Sequence, residues 1–141
     1  MKISLYILFI LAAFVLAGAG CTRNNGNIGS WFGTWQVVSI TSGEGKIEKL
    51  PYTVIVKFQS DIIQTTEQFG SHEYNDYWAN WRRAGTSLII DGVNKSIAPA
   101  LMLPVNSVVE LEIVQAPGSV MVWRYIDDNG NSTEYNLKRL Y

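Results

Sequence analysis

The sequence is poor in cysteine and histidine, and these two shortages exclude several kinds of site. Its 141 residues include one cysteine, Cys21, and one histidine, His72. A single cysteine cannot form an internal disulfide, and a single histidine without a cysteine partner does not make a zinc site of the usual kind. Glu73 and Asp76 lie near His72, which leaves a weak calcium contact as the alternative to the polar loop that we expect there. We predict no metal ion and no cofactor.

A catalytic constellation is also missing. Three serines stand near glycines, but none has a partner histidine at a recognisable spacing for nucleophilic catalysis. Carboxylate pairs can perform acid–base chemistry, and the chain has two of them. Glu110 and Glu112, however, share the outer face of a predicted strand, and Asp127 and Asp128 open a predicted turn, where such residues bond their own backbone. We therefore expect solvated structural roles for these carboxylates and no enzymatic activity.

An excess of charge of one sign is absent as well. Lys and Arg total 11 while Asp and Glu total 12, so that the formal net charge is −1. Electrostatic capture of nucleic acid needs a basic face, and a nucleic-acid partner is therefore not expected. The chain has no internal repeat and no low-complexity segment, and its length beyond the N-terminal region suits one domain.

The N-terminal 20 residues contain a long apolar run. Lys2 gives a short positive start, apolar residues follow to Leu16, and small residues then lead to Cys21. This is the layout of a secretory signal peptide, which is removed from the mature protein. A permanent membrane-spanning helix is the alternative, because the run over residues 3–20 is at the lower length limit for one. We predict a signal peptide over residues 1–20.

The sequence GAGC, preceded by LA, resembles the lipobox of bacterial lipoproteins, although Gly18 stands where leucine is usual. The resemblance implies that Cys21 becomes the first mature residue and carries a thioether-linked diacylglycerol and an acylated amino group. The membrane would then be a partner reached through this lipid anchor. Residues 21–29 fit a short lipidated tether. Thr22, in place of an aspartate, implies the outer membrane of a Gram-negative bacterium.

The remaining sequence alternates short apolar runs with turn signals such as SGEGK, FGSH, RRAGT, APGS and DDNGN. The segments TVIVKFQ and VVELEIV show the period of two that is typical of half-buried strands. The segment over residues 96–104, SIAPALMLP, has room for one helical turn at most, because it contains two prolines. Eight strands are predicted, near residues 33–41, 53–59, 62–69, 74–82, 86–90, 107–115, 119–127 and 132–140.

These strands predict an all-β domain over residues 30–141, a small eight-stranded antiparallel up-and-down barrel. Short strands separated by regular turns are typical of sandwiches and barrels, and closure removes the unpaired edges that promote aggregation. Barrels of this size are either filled by side chains or hold one small ligand.

Gly33-Thr34-Trp35, at the start of the first predicted strand, resembles the G-x-W signature of lipocalins, and Arg139 lies near the end of the last strand. Over residues 30–141 the pattern is similar to lipocalin-like lipoproteins of the Bacteroidetes. The resemblance implies that Trp35 plugs the closed end of the barrel and that Arg139 lies across it. A guanidinium over an indole contributes about 0.5–2 kcal/mol, and Gly33 allows a close backbone turn. These three residues are predicted to close the barrel and not to bind a ligand.

Three functions remain open for such a barrel. The leading hypothesis is binding of a small, mainly apolar molecule at the end away from Trp35. A filled barrel with a docking or structural role in the envelope is the second hypothesis, since large aromatic side chains are numerous enough to fill the interior. The candidate ligand-binding residues are inward strand positions, namely Val56, Phe58, Leu111, Ile113, Trp123 and Tyr125.

The third hypothesis concerns the sequence DNGNST, which places Gly130 in the last hairpin. It resembles the glycine-bearing loop of staphostatins, small lipocalin-like barrels that inhibit secreted cysteine proteases. The resemblance implies a cysteine protease as partner, although Asn-Gly is also an ordinary hairpin turn.

An unusual segment, residues 73–83, carries Tyr77 and Trp81 on one face and Trp78 on the other. Core and surface aromatics are expected there, with a sugar or apolar ligand as the alternative.

Overall fold

The computed structural model describes residues 29–141, which form one antiparallel sheet. The predicted signal peptide, Cys21 and the tether as far as residue 28 lie outside the described residues. Within the described range no helix is long and apolar enough to span a membrane. The strands are β1 (Gly33–Ser42), β2 (Ile47–Glu48), β3 (Thr53–Gln59), β4 (Ile62–Gln68), β5 (Tyr74–Ala84), β6 (Ser87–Asp91), β7 (Val108–Gln115), β8 (Val120–Ile126) and β9 (Ser132–Arg139).

The sheet closes on itself because β1 pairs with β9 as well as with β3. Trp35 of β1 lies opposite Val56 on one side and opposite Arg139 on the other. Every other neighbouring pair of long strands is antiparallel and consecutive in the chain. The eight long strands therefore form a closed up-and-down barrel, and the predicted fold class is confirmed.

The short strand β2 is an addition to the eight predicted strands. It pairs with the end of β1, where Ile40 lies opposite Glu48. The intervening turn is tight, with the N–H of Gly45 donating to the carbonyl of Ser42 at 2.8 Å. Two residues are too few to show the alternation on which a strand prediction depends. β5 also runs further than predicted, to Ala84, because its second half pairs with β6.

The two ends of the barrel have different covers. We call the end where β1 begins the floor and the opposite end the mouth. A 3₁₀ turn, Gly29–Trp31, covers the floor, and its buried Trp31 packs edge-on against Phe58 with ring centroids 5.1 Å apart. The mouth is covered by the segment from Ile97 to Leu103 in the long β6–β7 connection, which we call the plug. The plug contains a second 3₁₀ turn, Pro99–Leu101, where the sequence allowed one helical turn.

The interior follows the alternation of the strands. In β3, Val54, Val56 and Phe58 are fully buried, while the residues between them are partly exposed. β1 departs from this pattern, since its register with β9 shifts between Val37 and Ser39. The shift is a β-bulge, which leaves Val38 50% exposed although it is apolar.

Candidate functional site

Arg139 and Trp35 lie together at the floor of the barrel. The guanidinium carbon of Arg139 is 4.3 Å from the centroid of the Trp35 ring, and Trp35 has no solvent exposure. The same guanidinium donates hydrogen bonds to the carbonyls of Phe32 (2.8 Å), Gly118 (3.0 Å) and Ser30. Arg139 therefore connects the N-terminal turn, the β7–β8 loop and β9, which is the arrangement that barrel closure requires.

Gly33 is fixed by its neighbours at this end. Its φ is +137°, a conformation that residues with a side chain rarely adopt. A Cβ atom at this position would lie 2.7 Å from Nη1 of Arg139 and 2.9 Å from the carbonyl oxygen of Tyr141. Glycine is therefore needed both for the backbone conformation and for the close approach of the guanidinium.

The six candidate ligand-binding residues all contribute to the barrel interior. Val56, Phe58, Leu111 and Trp123 are fully buried, and Ile113 and Tyr125 are partly buried against the same core. Trp123 lies opposite Ile113 in the neighbouring strand. Their role in binding stays a prediction.

The lower half of the interior is filled with aromatic rings. The Phe58 ring lies 4.7 Å from Trp81, 5.1 Å from Trp31 and 6.0 Å from Trp123, each measured between centroids. Protein interiors pack at the density of organic crystals. Any space for a ligand must therefore come from the half of the barrel nearer the mouth.

The plug fills this upper half with apolar side chains. Ala98 and Leu101 are fully buried and Leu103 is nearly so. Three inward-pointing side chains of the barrel wall bind the plug backbone. Thr65 Oγ1 accepts a hydrogen bond from the N–H of Ala98 at 2.8 Å, Glu67 Oε1 accepts one from Ala100 at 2.9 Å, and the Tyr135 hydroxyl donates to the carbonyl of Leu101 at 2.6 Å. The mouth is therefore closed by contacts between side chains and backbone, and not by strand pairing.

Glu67 is the most unusual side chain of the mouth, because it is a carboxylate only 2% exposed. Besides the N–H of Ala100 it accepts hydrogen bonds from the hydroxyls of Tyr52 and Tyr77, each at 3.0 Å. The ion pairs found among residues 29–141 do not include it. Buried carboxylates are tolerated only when hydrogen bonds replace water, and here three donors do so.

The tyrosines of the mouth respond to this environment. Burial, and then the hydrogen bond to Glu67, raises the pKa of both Tyr52 and Tyr77. Burial also raises the pKa of the Tyr135 hydroxyl well above its usual range. In each case the neutral phenol is favoured, since the phenolate would be desolvated or would lie near a carboxylate.

Thr65 and Glu67 are not among the site residues predicted above, although the sequence contains a signal for them. They lie in IIQTTEQ, where Ile63, Thr65 and Glu67 share one face of β4. An inward face that ends in a carboxylate is rare, because charged groups are seldom fully buried unless paired. Their partner, the plug, has no such signal, since Pro99 and the lack of a hydrophobic period indicate only a loop.

Gly130 lies at the tip of the β8–β9 hairpin, near the mouth. Its φ is +81°, and its N–H donates to the carbonyl of Asp127 at 2.9 Å. The Asp127 carboxylate accepts hydrogen bonds from the side-chain amide of Asn131 and from the backbone N–H groups of Asn129 and Asn131. These bonds lower the pKa of Asp127, and the bond from the Asn131 side chain has the largest effect. Turn geometry thus accounts for the glycine, while binding of a protease stays a prediction.

The other polar candidates lie on the outer surface. Glu110 accepts from the Ser87 hydroxyl, and Glu112 pairs with Arg124 at 3.1 Å. His72 is exposed. Within the described part of the chain, no three side chains of the metal-binding types come together in a way that holds an ion.

The aromatics of β5 divide as their parity predicts. Trp81 is buried in the interior and Tyr77 is half-buried, with its hydroxyl on Glu67. Trp78 points outward and is 52% exposed, and the exposed Tyr74 lies four residues earlier on the same face of the strand. Two exposed aromatic side chains therefore lie on the outer face of β5.

Comparisons with known proteins support the fold. No family model and no curated protein sequence matched the chain. A lipocalin-like protein from Bacteroides uniformis superimposes with a TM-score of 0.60 at 17% identity, covering 79% of this chain and 100% of the other. A protein from Bacteroides eggerthii gives a TM-score of 0.59 at 16% identity, covering 77% and 98%. The described domain therefore has a lipocalin-like fold.

Proposed function

We propose that this protein is a lipid-anchored, lipocalin-like protein of the cell envelope that binds a small, mainly apolar molecule in the upper half of its barrel. The observation that carries the proposal is the cover of the mouth. Ala98, Leu101 and Leu103 fill the mouth from a connecting segment, and not from the barrel wall. A segment held by three hydrogen bonds to side chains is open to displacement by a ligand that replaces its contacts.

Ligand binding would depend on this displacement, because the rest of the interior is occupied. Trp35, Phe58 and Trp123 have no exposure and pack the barrel from the floor to its middle. Of the six candidate lining residues, Tyr125 is nearest the mouth, since its partner Thr133 lies near the start of β9. We expect Tyr125, Leu111 and Trp123 to contact the ligand, and Val56, Phe58 and Ile113 to support them.

The anchor is the second part of the proposal. Cys21, behind the apolar run, would carry the lipid, and the tether as far as residue 29 would join it to the floor of the barrel. Each buried methylene of an acyl chain contributes about 0.8 kcal/mol to membrane binding, and several chains together hold a protein firmly. Since Gly29, the last residue of the predicted tether, lies in the turn at the floor, its position supports a mouth that points away from the lipid surface.

Native mass spectrometry of the lipidated chain, extracted gently from membranes, tests ligand binding. We expect the measured mass to exceed that of the protein with its lipids. On collisional activation the difference should be released as a small molecule. Leu111→Trp is the matched variant, because it narrows the interior at a fully buried position and should remove the extra mass. Extracted protein without a small molecule, in preparations that retain a protein partner instead, would contradict the proposal.

The packed interior favours a second candidate, a docking protein of the envelope. The outer surface near the mouth exposes Phe69, Tyr74 and Trp78, each by more than two fifths. Exposed aromatic groups of this kind are common at protein interfaces. Trp78→Ser should then release a partner in membrane cross-linking experiments, while the ligand hypothesis expects no change from this variant.

A further inference from the structure

We infer that the mouth recognises an amide group, so that the preferred ligand is an apolar amide or a short apolar peptide and not a fatty acid. The inference rests on the proposed function and specifies its ligand class. It is carried by the juxtaposition of Thr65, Glu67 and Tyr135 on the backbone of the plug.

The plug shows what the mouth binds, because it is already seated there. It presents two backbone N–H groups, from Ala98 and Ala100, to the oxygen atoms of Thr65 and Glu67. One carbonyl, that of Leu101, receives the Tyr135 hydroxyl. The apolar side chains of the same segment fill the space between these polar contacts. The occupied mouth therefore holds a peptide backbone flanked by apolar groups.

A ligand that displaces the plug removes the hydrogen bonds that Thr65 and Tyr135 make to it, and one of the three that Glu67 accepts, since Tyr52 and Tyr77 still donate to Glu67. An unpaired buried donor or acceptor carries a large desolvation penalty, so a good ligand supplies an N–H donor for Thr65, an acceptor for Tyr135 and a third donor for Glu67. An amide supplies both kinds of group. A hydrocarbon supplies neither, and an ester supplies only the acceptor.

Glu67 also selects against acids. A fatty acid would bring its carboxylate into the same dry region as the buried Glu67 carboxylate, where like charges repel strongly. Its ionised head group has no N–H to donate. An ammonium group would satisfy Glu67 but would leave the Tyr135 hydroxyl without an acceptor, so an amide fits the mouth better than an amine.

Four probes with a ten-carbon backbone test this order: decanamide, methyl decanoate, decanoate and decylamine. Each is titrated against the full-length lipidated chain in nanodiscs, with tryptophan emission as the signal and empty nanodiscs as the blank for partition. We expect decanamide to bind about tenfold tighter than decanoate or more, given the penalty for unpaired buried groups. Methyl decanoate should fall between them, and decylamine should bind more weakly than decanamide.

Two variants separate recognition from opening of the plug. Leu101→Ala weakens the packing of the plug, so a larger fraction of the protein should have an open mouth. The affinity for every probe should then rise by the same factor. Glu67→Gln keeps an acceptor but removes the charge, so the ratio of decanamide to decanoate affinity should fall about fivefold or more. Ratios are independent of how often the plug opens. The control is Glu110→Gln, at an exposed carboxylate on the outer surface, which should leave the ratio unchanged.

The outcomes distinguish the inference from the proposed function. Tighter binding of decanoate or decylamine than of decanamide, or a ratio that Glu67→Gln leaves unchanged, overturns the amide inference while the barrel remains a ligand carrier. If no probe binds to the wild type or to Leu101→Ala, both the inference and the proposed function are wrong. The expected order, together with the loss of selectivity in Glu67→Gln, supports the inference.

Discussion

At the floor, the guanidinium of Arg139 covers the Trp35 ring and also donates hydrogen bonds to three backbone carbonyls. We expect Trp35→Ala and Arg139→Ala to be non-additive. Truncation of a core tryptophan typically costs about 3–5 kcal/mol, and contacting pairs show coupling of about 0.5–3 kcal/mol. Urea unfolding of the two single variants and the double variant gives the coupling. The control is the same cycle of Trp35→Ala with Lys138→Ala, at the exposed neighbouring position. A Trp35–Arg139 coupling no larger than the Trp35–Lys138 coupling would contradict the contact.

Gly33 gives a second prediction at this scale. Gly33→Ala should lower the free energy of unfolding by more than Gly45→Ala does. Both glycines have positive φ, so both variants take an unfavourable backbone conformation, of about 1–2 kcal/mol near the left-handed region of Gly45 and of about 1–3 kcal/mol in the glycine-only region of Gly33. Only at Gly33 does the new Cβ also meet Arg139 and Tyr141, whereas nothing lies within 4 Å of it at Gly45. The difference between the two melts therefore reports the clash together with the stricter backbone conformation at Gly33, and equal losses would mean that the floor relaxes without cost.

At the scale of elements, the strands were predictable and the plug was not. The alternation in TVIVKFQ alone places Val54, Val56 and Phe58 inward, as the structure has them. The sequences of β2 and the plug show no regular alternation of apolar and polar residues from which either could be predicted. The plug takes its conformation from partners far away in sequence, since Ala98 bonds to Thr65 and Leu101 to Tyr135. Local sequence cannot specify contacts of this range, so the covered mouth is visible only in the folded molecule.

The hydrogen bond from Tyr135 to the plug can be tested directly. Tyr135→Phe keeps the ring but leaves the buried carbonyl of Leu101 without a donor, which should cost about 1–3 kcal/mol. Hydrogen exchange should accelerate at the amides of Leu101 and Met102, which bond within the plug. Tyr74→Phe, at an exposed tyrosine, should change stability by no more than about 0.5 kcal/mol. Unchanged exchange in Tyr135→Phe would show that the Tyr135 hydroxyl is not needed to hold the plug, which keeps its bonds to Thr65 and Glu67 and its apolar contacts.

The mouth should also make the protein sensitive to alkali. The pKa values of Tyr52, Tyr77 and Tyr135 are raised in the folded state. A raised pKa means that folding favours the neutral phenol, so this stabilisation is complete below the unfolded pKa of about 10 and is lost as the pH rises above it. The urea midpoint should therefore fall between about pH 9.5 and pH 11.5. Tyr77→Phe should make the fall shallower, and an equally steep fall would exclude a contribution from this tyrosine.

For the whole molecule, the two ends of the barrel contrast in how they are held. The floor unites the first and last strands through Trp35 and Arg139, two residues that the sequence already placed at opposite ends of the domain. The mouth is closed by three bonds from side chains to a connecting segment. Regions with few strand-pairing contacts open at lower free energy than core strands. This contrast is what the proposed binding of a ligand at the mouth requires.

The last prediction concerns attachment of the whole molecule to the membrane. Cys21→Ser should abolish labelling with radioactive palmitate and leave a precursor that still carries residues 1–20. The reason is that Cys21 is the one cysteine of the sequence and follows an apolar segment, so a lipid-modifying enzyme has no other thiol to use. Without acyl chains the protein also loses about 0.8 kcal/mol of membrane affinity per methylene. Thr22→Ser, a conservative change at the next residue, is the control and should label normally. Palmitate retained on Cys21→Ser would contradict the lipid anchor, whereas loss of label with an uncleaved precursor ties lipid attachment and signal removal to the same residue.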